Sequence, residues 1–380
     1  MKTFSAAGIF KPFHQFVKLE SASGLLLFAT ALIGLAWANS PLSESYQAFK
    51  AASGYIVNDG LMAIFFLLVG LEIKREMRGG ELASFRRSAL PLAAALGGML
   101  VPAAIYTLFN HNLPSGSGWG IPMATDIAFA LGALMLLGKR IPPGLKIFLV
   151  ALAILDDIGA ILVIALFYTR SLHWGALALS GLCLAALFAL NFSGVRRLSV
   201  YLAPGILLWF FLLRSGIHAT LAGVAVAFLI PHTPKNSGEP LAQNLERRLH
   251  PWVSFGILPL FALINAGVAL VPQTRGMLFE PVGLGILAGL CLGKPLGIFL
   301  FSWLAVRLGL GEPPTGVRWN HLFGAGLLAG IGFTMSLFIA DLGLPNAQLL
   351  DGAKLAVLCA SLVSGMMGTA WLWWVGTQKT

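Results

Sequence analysis

Two adjacent aspartates, Asp156 and Asp157, lie in a stretch that otherwise consists of apolar residues, glycine and a final tyrosine (ALAILDDIGAILVIALFY, 151–168). A helix over 145–168 would be roughly 36 Å long, enough to cross a lipid bilayer with the acids near its midplane. Each aspartate there costs about 2.5–3.5 kcal/mol on insertion scales. A single Asn or Ser could join two helices at less cost. The pair therefore indicates a function that needs carboxylates, such as binding a cation or carrying protons.

A third acid, Asp126, follows Thr125 in the segment GIPMATDIAFALGALMLLG (120–138). It could be a helix N-cap after the turn at Pro122, or it could begin a half-helix inside the membrane. The two interpretations are compatible, because a capping carboxylate at membrane depth would itself lie in a cavity.

Lys294 lies in the middle of the apolar segment 282–306, too deep for its ammonium to reach either interface. A buried ammonium needs an anionic partner, and the central aspartates are the candidates. Farther along the chain, Gly330, Gly332 and Thr334 interrupt another apolar segment. One interrupted segment in each half of the chain is typical of transporters built from inverted repeats around a midplane site.

The composition requires that membrane helices position these residues. Of the 380 residues 57% are hydrophobic and only 11% are charged, whereas soluble domains carry about 25% charged residues. The net charge of +10 does not indicate nucleic-acid binding, because the basic residues are spread over many loops rather than gathered in one patch. The three cysteines lie within apolar segments without metal-binding or redox spacing, and no cofactor is expected.

Apolar stretches of suitable length predict about twelve transmembrane helices, and thus an all-α integral membrane protein. They lie near 23–38, 58–73, 88–109, 121–138, 145–168, 174–191, 199–213, 217–230, 251–271, 282–306, 321–340 and 350–375. The segment LAWANS (35–40) could be a signal-peptidase site, but its long polar N-terminal flank favours an uncleaved first helix.

Basic residues alternate between the two sides of this arrangement. Nineteen of the 25 Lys and Arg residues fall in one set of connections, including the segment 231–240. The other set contains Lys50, Arg170, Arg214, Arg275 and Lys354. The positive-inside rule then predicts that both termini are cytoplasmic.

Several segments resemble the NhaA family of sodium/proton antiporters, in one order from about residue 16 to 370. They are FFLLVGLEIKRE (65–76), ATDIAFALG (124–132), LKIFLVALAILDDIGAI (145–161), SGIHATLAG (215–223), HPWVSFGILPLFALINAGV (250–268), LGKPLGI (292–298) and LAGIGFTMSLFIA (328–340). The resemblance implies a multi-pass protein of the bacterial inner membrane with two interrupted, crossing helices.

For the ion site, the resemblance implies that Asp156 and Asp157 bind the transported Na⁺ or Li⁺, with Thr125 nearby. Asp126 would compensate the exposed N-termini of the crossed half-helices and Lys294 their C-termini, as the helix dipole requires. Lys294 would also pair with Asp156. Cation and protons would compete for the site, so that external H⁺ drives Na⁺ out of the cell.

The resemblance also divides the single membrane domain, residues 1–380, into two working parts. An ion-translocating core would comprise 88–168 and 282–375. An interface part would comprise 22–73 and 174–271 and would form a homodimer. The connection 41–54 is too short for the β-hairpin that some members use to dimerise.

A cluster of charged residues at the predicted cytoplasmic end is either ordinary interfacial anchoring or, as the resemblance implies, a pH-responsive entry funnel. It consists of Glu72, Lys74, Arg75, Glu76, Glu246 and His250, with His218 elsewhere as a further candidate. Arg247 stands where the family often has a histidine, so we expect pH sensing to depend more on Glu72, Glu246 and His250.

Three other classes of protein remain as alternatives. A proton- or sodium-coupled symporter of an organic anion could use Lys294 as the anion's partner, but it would need more free positive charge. A channel needs a continuous polar pathway, whereas the polar residues here gather at one depth. A membrane enzyme is disfavoured, because the predicted helices contain no metal-ligand or nucleophile motif.

Overall fold

The computed structural model describes residues 7–169, 172–232 and 240–377, and within these ranges the chain is helical without β-strands. The α-helices are α1 Ala7–Ala38, α2 Ser43–Tyr55, α3 Met62–Gly79, α4 Phe85–Asn110, α5 Ile127–Leu136, α6 Pro143–Phe167, α7 Trp174–Phe192, α8 Leu198–Ser215, α9 Leu221–Leu229, α10 Leu241–Trp252, α11 Leu258–Asn265, α12 Pro272–Gly276, α13 Pro281–Ala288, α14 Lys294–Arg307, α15 Trp319–Ala329, α16 Phe333–Gly343 and α17 Ala347–Thr377. Short π-helical segments join α2 to α3, α10 to α11 and α13 to α14.

The prediction of an all-helical membrane protein is confirmed. Among the described residues, seven continuous helical stretches are long and apolar enough to cross a bilayer. Two further pairs are each bent at a short break, and each pair would make one span: Pro114–Met123 with α5, bent by 45°, and α15 with α16, bent by 48°. Each of the twelve predicted spans overlaps a helix.

The predicted boundaries were wrong around the eighth and ninth spans. The eighth, 217–230, is helical only over the nine residues of α9. The ninth, predicted over 251–271, belongs to a helical stretch from Leu241 to Asn265. Its first part, α10, is amphipathic and carries charged residues, so an apolar-length criterion passes over it. Residues 233–239 of the predicted cytoplasmic connection 231–240 lie outside the described residues, as do residues 1–6 and 378–380 at the termini.

The ninth span ends at Asn265, close to the place where Tyr46 and Gly267 meet. The Tyr46 hydroxyl donates to the carbonyl of Ile264 at 2.6 Å. A Cβ on Gly267 would lie 2.0 Å from the same hydroxyl, so the close approach requires glycine. Tyr46 itself comes from the predicted loop 41–54, most of which is helix α2. That segment is polar yet free of proline after residue 41, so helix formation costs little there.

Close helix packing holds the centre of the molecule together. Helices α4 and α14 cross where Gly97 faces Gly297, and a Cβ on either glycine would lie within 2.2 Å of the other's carbonyl oxygen. Small residues let membrane helices approach in this way. Lys294 begins α14 one turn from this crossing, so the contact fixes the depth of its ammonium.

The buried apolar residues form two separate clusters. The larger extends over α1, α3 to α6, α11 and α13 to α17 and surrounds the broken helices. The smaller draws only on α3, α7 to α10 and the residue after α9, with Leu187, Tyr201 and Leu208 at its centre. The chain therefore buries the predicted core and part of the predicted interface region around different sets of side chains.

Candidate functional site

The two broken helices meet at their breaks. Ala124 to Asp126 separate Pro114–Met123 from α5, and Gly330 to Gly332 separate α15 from α16. The Asp126 amide donates to the Ile331 carbonyl at 2.7 Å, which joins the two unwound segments directly. A Cβ on Gly330 would lie 2.5 Å from the carbonyl oxygen of Leu290, so only glycine lets this break approach the α13–α14 stretch.

The Asp126 carboxylate accepts hydrogen bonds at the start of both second half-helices. Its Oδ1 accepts from the Phe129 amide at 3.1 Å, which caps α5. Its Oδ2 accepts from the Thr334 hydroxyl at 2.5 Å and from the Thr334 amide at 3.2 Å, in the first turn of α16. A negative charge at two helix N-termini is favourable for both dipoles.

The Lys294 side chain is fully buried and contacts the opposite helix ends. Its Nζ donates to the carbonyl of Met123, the last residue of the first half-helix, and to Asp156 Oδ2 at 2.7 Å. The Thr125 hydroxyl lies 2.9 Å from the carbonyl of Ala329, the last residue of α15. Donors thus face the negative C-terminal ends of both half-helices.

Asp156 joins these groups to α6. Its Oδ2 lies 2.7 Å from both Lys294 Nζ and the Thr125 hydroxyl. The hydroxyl has one hydrogen and also approaches the Ala329 carbonyl, so it can donate to only one of them at a time. Asp156, Thr125 and Lys294 therefore form one buried group, as the sequence suggested.

Two carboxylate oxygens in this region are buried but have no hydrogen-bond partner among the described residues: Asp156 Oδ1 and Asp157 Oδ1. Burying such an atom unpaired costs about 1–3 kcal/mol or more when it carries charge. Small hard cations prefer carboxylate, hydroxyl and carbonyl oxygens. The two carboxylate oxygens are ligand atoms of that kind, and the Thr125 hydroxyl, 2.7 Å from Asp156 Oδ2, is another.

The cluster at the predicted cytoplasmic end is centred on Arg75. Its guanidinium contacts Glu246 Oε1 at 2.5 Å and Glu76 Oε1 at 3.1 Å. Burial raises the pKa of the Glu246 carboxyl, an effect that the guanidinium and His250 oppose in part. Glu72 interacts electrostatically with both Arg75 and Asp157.

Lys74 is separate from these ion pairs. Its Nζ donates to the carbonyls of Ala227, Phe228 and Ile230 at 3.2, 2.6 and 2.5 Å. The ammonium therefore caps the C-terminus of α9, which is favourable for the helix dipole. His218 is also distant in the chain from the cluster, and its ring makes an edge contact with Phe338 of α16 at 6.2 Å.

Sequence reasoning missed the backbone partners of the site, the carbonyls of Met123, Ala329 and Ile331. Only the Gly and Pro residues around the breaks indicated that free carbonyls would exist there. It also counted Lys354 with the external loops. The structure instead buries Lys354 in α17, where its ammonium lies 2.8 Å from Asp341.

Comparisons with known proteins agree with this arrangement. The profile of the Na⁺/H⁺ antiporter 1 family matches residues 14–372. The Na⁺/H⁺ antiporter NhaA 1 of Syntrophotalea carbinolica is 52% identical, covering 93% of this chain and 94% of the relative. The Na⁺/H⁺ antiporter NhaA of Escherichia coli O139:H28 is 48% identical, with 95% and 98% covered.

The fold also resembles a solved structure, that of the sodium proton antiporter MjNhaP1 from Methanocaldococcus jannaschii. The TM-score is 0.52 at 16% sequence identity, and the match covers 96% of this chain and 97% of the other. This similarity concerns the fold alone. With relatives that match at about half of all positions over nearly the whole length, the chain belongs to the Na⁺/H⁺ antiporter 1 family.

Proposed function

We propose that the protein exchanges Na⁺ or Li⁺ for H⁺ across the bacterial inner membrane, with Asp156 and Asp157 as the carboxylates that bind the cation. The observation that carries the assignment is the pair of buried oxygens, Asp156 Oδ1 and Asp157 Oδ1, for which the described residues provide no hydrogen-bond donor. The family to which the chain belongs supports the choice of Na⁺ and H⁺ as the transported ions.

Exchange follows from competition for these oxygens. A carboxylate that holds a proton loses most of its attraction for a cation, and a carboxylate that holds Na⁺ resists protonation. Suppose that the site can switch from one side of the membrane to the other only when it holds either Na⁺ or protons. Each ion must then leave the site before the other can be carried. A proton gradient directed inward then drives Na⁺ outward.

Asp156 and Asp157 have different parts in this competition. Adjacent side chains point about 100° apart around a helix, so both can reach one cavity while keeping separate neighbours. Asp157 would be the more direct ligand. Asp156 would be shared between the cation and Lys294. When no cation is bound, the Lys294 ammonium would neutralise the negative charge of the Asp156 carboxylate.

The movement that changes exposure would take place between the core, 88–168 and 282–375, and the interface part, 22–73 and 174–271. The separate apolar cluster of α7 to α10 supports the division for 174–252, whereas α1, most of α3 and α11 pack in the larger cluster with the core. We also infer cytoplasmic termini from the distribution of basic residues, and a homodimer through the interface part. Such a dimer would have to form without an extra β-hairpin, because 43–55 is helix α2.

A pH response would arise in the cluster of Glu72, Glu76, Arg75, Glu246 and His250. The raised pKa of Glu246 and its contact with Arg75 support a change in that ion pair as the pH rises. Lys74 would have a structural part, since its ammonium is committed to the end of α9.

Organic-anion symport, the alternative that the sequence left open, has no support. It requires a cation free to bind the substrate, and Lys294 is already occupied by Asp156 and the Met123 carbonyl. The family match does not favour it either.

Everted membrane vesicles test the proposal. After respiration acidifies the interior, addition of Na⁺ or Li⁺ should dequench a pH-sensitive dye, and K⁺ should not. The matched control is Asp157→Asn in the same vesicles. Equal responses of the wild type and this variant would contradict the assigned site, and the absence of any Na⁺ response in well-expressed wild type would contradict the function.

A further inference from the structure

A second buried ion pair lies outside the proposed ion site and has no part in the exchange chemistry. Lys354 Nζ contacts Asp341 Oδ1 at 2.8 Å, and the two side chains are 2% and 15% exposed. Asp341 comes seven residues after Thr334 on α16, about 10 Å farther along the helix axis. Such a pair adds little net stability, because desolvation cancels much of its attraction.

Two asparagines extend this pair to a closed ring. Lys354 Nζ donates to Asn265 Oδ1 at 3.0 Å, and Asn265 Nδ2 donates to Asn58 Oδ1 at 2.8 Å. Asn58 Nδ2 then donates to Asp341 Oδ2 at 3.2 Å. The ammonium is therefore connected to the carboxylate by two routes, one direct and one through both amides. Each carboxylate oxygen of Asp341 has a donor, and the orientation of both amides is fixed.

The ring joins the two parts of the molecule that are proposed to move against each other. Asp341 on α16 and Lys354 on α17 belong to the core. Asn58, in the π-helical segment before α3, and Asn265, the last residue of α11, belong to the interface part. Two of the four contacts cross the boundary, Asn58 to Asp341 and Lys354 to Asn265.

All four residues lie at the same end of their spans. Asn58 and Lys354 are near the start of spans two and twelve, whereas Asn265 and Asp341 are near the end of spans nine and eleven. Because consecutive spans run in opposite directions, these positions share one side of the membrane, the predicted external side. Lys50 interacts electrostatically with Lys354, Asp341 and Asp351 on this side.

Apolar contacts cross the same boundary between the ring and the ion site. Phe338 of α16 packs against Phe66 of α3 and Phe261 of α11, with ring centroids 5.4 and 6.3 Å apart. Phe338 lies between Thr334 and Asp341 in the chain. In this conformation, contacts between the core and the interface part therefore extend along α16 from Phe338 to the ring.

We propose that Asn58, Asn265, Asp341 and Lys354 form a latch that keeps one end of the ion pathway closed and that opens in every transport cycle. The latch rests on the proposed exchange and its two-part movement. Opening it breaks the two contacts that cross the boundary, while the Asp341–Lys354 pair and the Asn58–Asn265 bond each remain within one part. The charge pair thus never has to separate during transport.

Cross-linking tests the latch directly. In protein whose three cysteines are replaced by serine, Asn58→Cys with Asp341→Cys places two thiols across the boundary. Asp341→Cys with Lys354→Cys places two thiols within the core as the matched control. Each pair is linked with a short bifunctional thiosulfonate and then reduced, and Na⁺-driven exchange is measured in vesicles at every stage.

The link across the boundary should lower exchange at least tenfold, and the reductant should restore it, while the link within the core should change exchange less than twofold. Full exchange with the boundary link in place would overturn the latch. Na⁺-induced proton release, measured on the same linked protein in detergent, should persist. Its loss in every sample would indicate failure of the ion site, which is thereby distinguished from failure of the latch.

A milder variant avoids dependence on paired cysteines. Asp341→Asn keeps the shape of the ring but removes one charge, and Asp351→Asn makes the same change just outside it. Hydrogen–deuterium exchange over the end of α16 and the start of α17 should be several-fold faster in Asp341→Asn than in the wild type, and unchanged in Asp351→Asn. Equal rates in Asp341→Asn and the wild type would contradict the latch.

Discussion

The three central acids are similarly buried but differ in how their oxygens are satisfied. Asp126 is 3% exposed, and its two oxygens accept from the amides of Phe129 and Thr334 and from the Thr334 hydroxyl. Asp156 and Asp157, 1% and 5% exposed, each have an oxygen without a partner in the described structure. Burial alone therefore does not distinguish these three acids. We propose that the unsatisfied oxygen distinguishes the cation-binding acids from the structural one.

The difference suggests one role for Asp126 and another for Asp156 and Asp157. A carboxylate whose oxygens are all satisfied holds two helices together, and it has little capacity left for a mobile ion. A carboxylate with a free buried oxygen is costly until a cation or a proton arrives. In the proposed function, these two ligands are the ions that the protein exchanges.

The largest expected effect is on transport by Asp157→Asn. The amide is nearly the same size but cannot carry a negative charge, so both cation binding and proton carriage should be lost. We expect exchange in everted vesicles to fall at least 100-fold, with the melting temperature of the purified protein nearly unchanged. Residual exchange above a tenth of the wild-type rate would contradict the assignment of Asp157.

Lys294→Met should have the largest effect on stability. Removing the ammonium leaves Asp156 and the Met123 carbonyl without their buried donor, and breaking a buried pair typically costs about 3–5 kcal/mol. Thermal unfolding in detergent measures the loss, with Lys146→Met on α6, a partly exposed position, as the control. A Lys294→Met protein that melts like the wild type would remove the structural part of the account.

Asp126→Ala should cost less, because it removes capping interactions and leaves no unpaired charge. Loss of an N-cap costs about 0.5–2 kcal/mol, and in this variant both α5 and α16 lose a capping interaction. We expect a lower melting temperature, with Na⁺-induced proton release retained at the temperature where the variant is folded. Loss of proton release in folded Asp126→Ala would mean that Asp126 belongs to the ion site after all.

Glu246→Gln should have the smallest effect, a change in pH dependence. Because the pKa of Glu246 is raised in the folded protein, the folded state keeps this proton at pH values where the unfolded chain has lost it. Its contribution to stability is therefore full below the unfolded pKa of about 4.3 and is lost as the pH rises through the raised value.

The Glu246→Gln variant cannot titrate at this position. Its melting temperature should therefore fall less than that of the wild type between mildly acidic and neutral pH, and the pH profile of exchange should shift. Glu81→Gln, at a partly exposed position, is the control. Identical profiles for the wild type and Glu246→Gln would remove this residue from the pH response.

The sequence indicated which charged residues near the membrane midplane would be paired, but it did not indicate the pairing of those near the ends of the spans. That Lys294 would pair with a central aspartate follows from the cost of burying charge, which is large only near the midplane, and the resemblance implied Asp156 in particular. Asp341 and Lys354 lie near the ends of their spans, where a charged side chain costs little free energy. The same argument therefore does not single them out. Their partners, Asn58 and Asn265, carry no charge and give no signal in composition or hydropathy.

Helices that consist of one long apolar segment were predictable from the sequence. Polar helices and helix breaks were not. Helix α6 was predicted nearly to its ends. Helices α2 and α10 were not, because their polar residues hide helices from an apolar-length criterion. The carbonyls of Met123 and Ala329 depend on where the breaks fall in space, which side-chain types indicate only through nearby Gly and Pro.

Proton release from purified protein tests the central claim most directly. Na⁺ or Li⁺ added to wild-type protein in weak buffer should displace protons from Asp156 and Asp157 and acidify the solution, and the heat of binding should vary with the ionisation enthalpy of the buffer. Asp157→Asn should abolish the release, and Asp156→Asn should abolish it or greatly weaken it. If the wild type binds Na⁺ without releasing protons at any pH from mildly acidic to alkaline, competition at the aspartate pair is wrong.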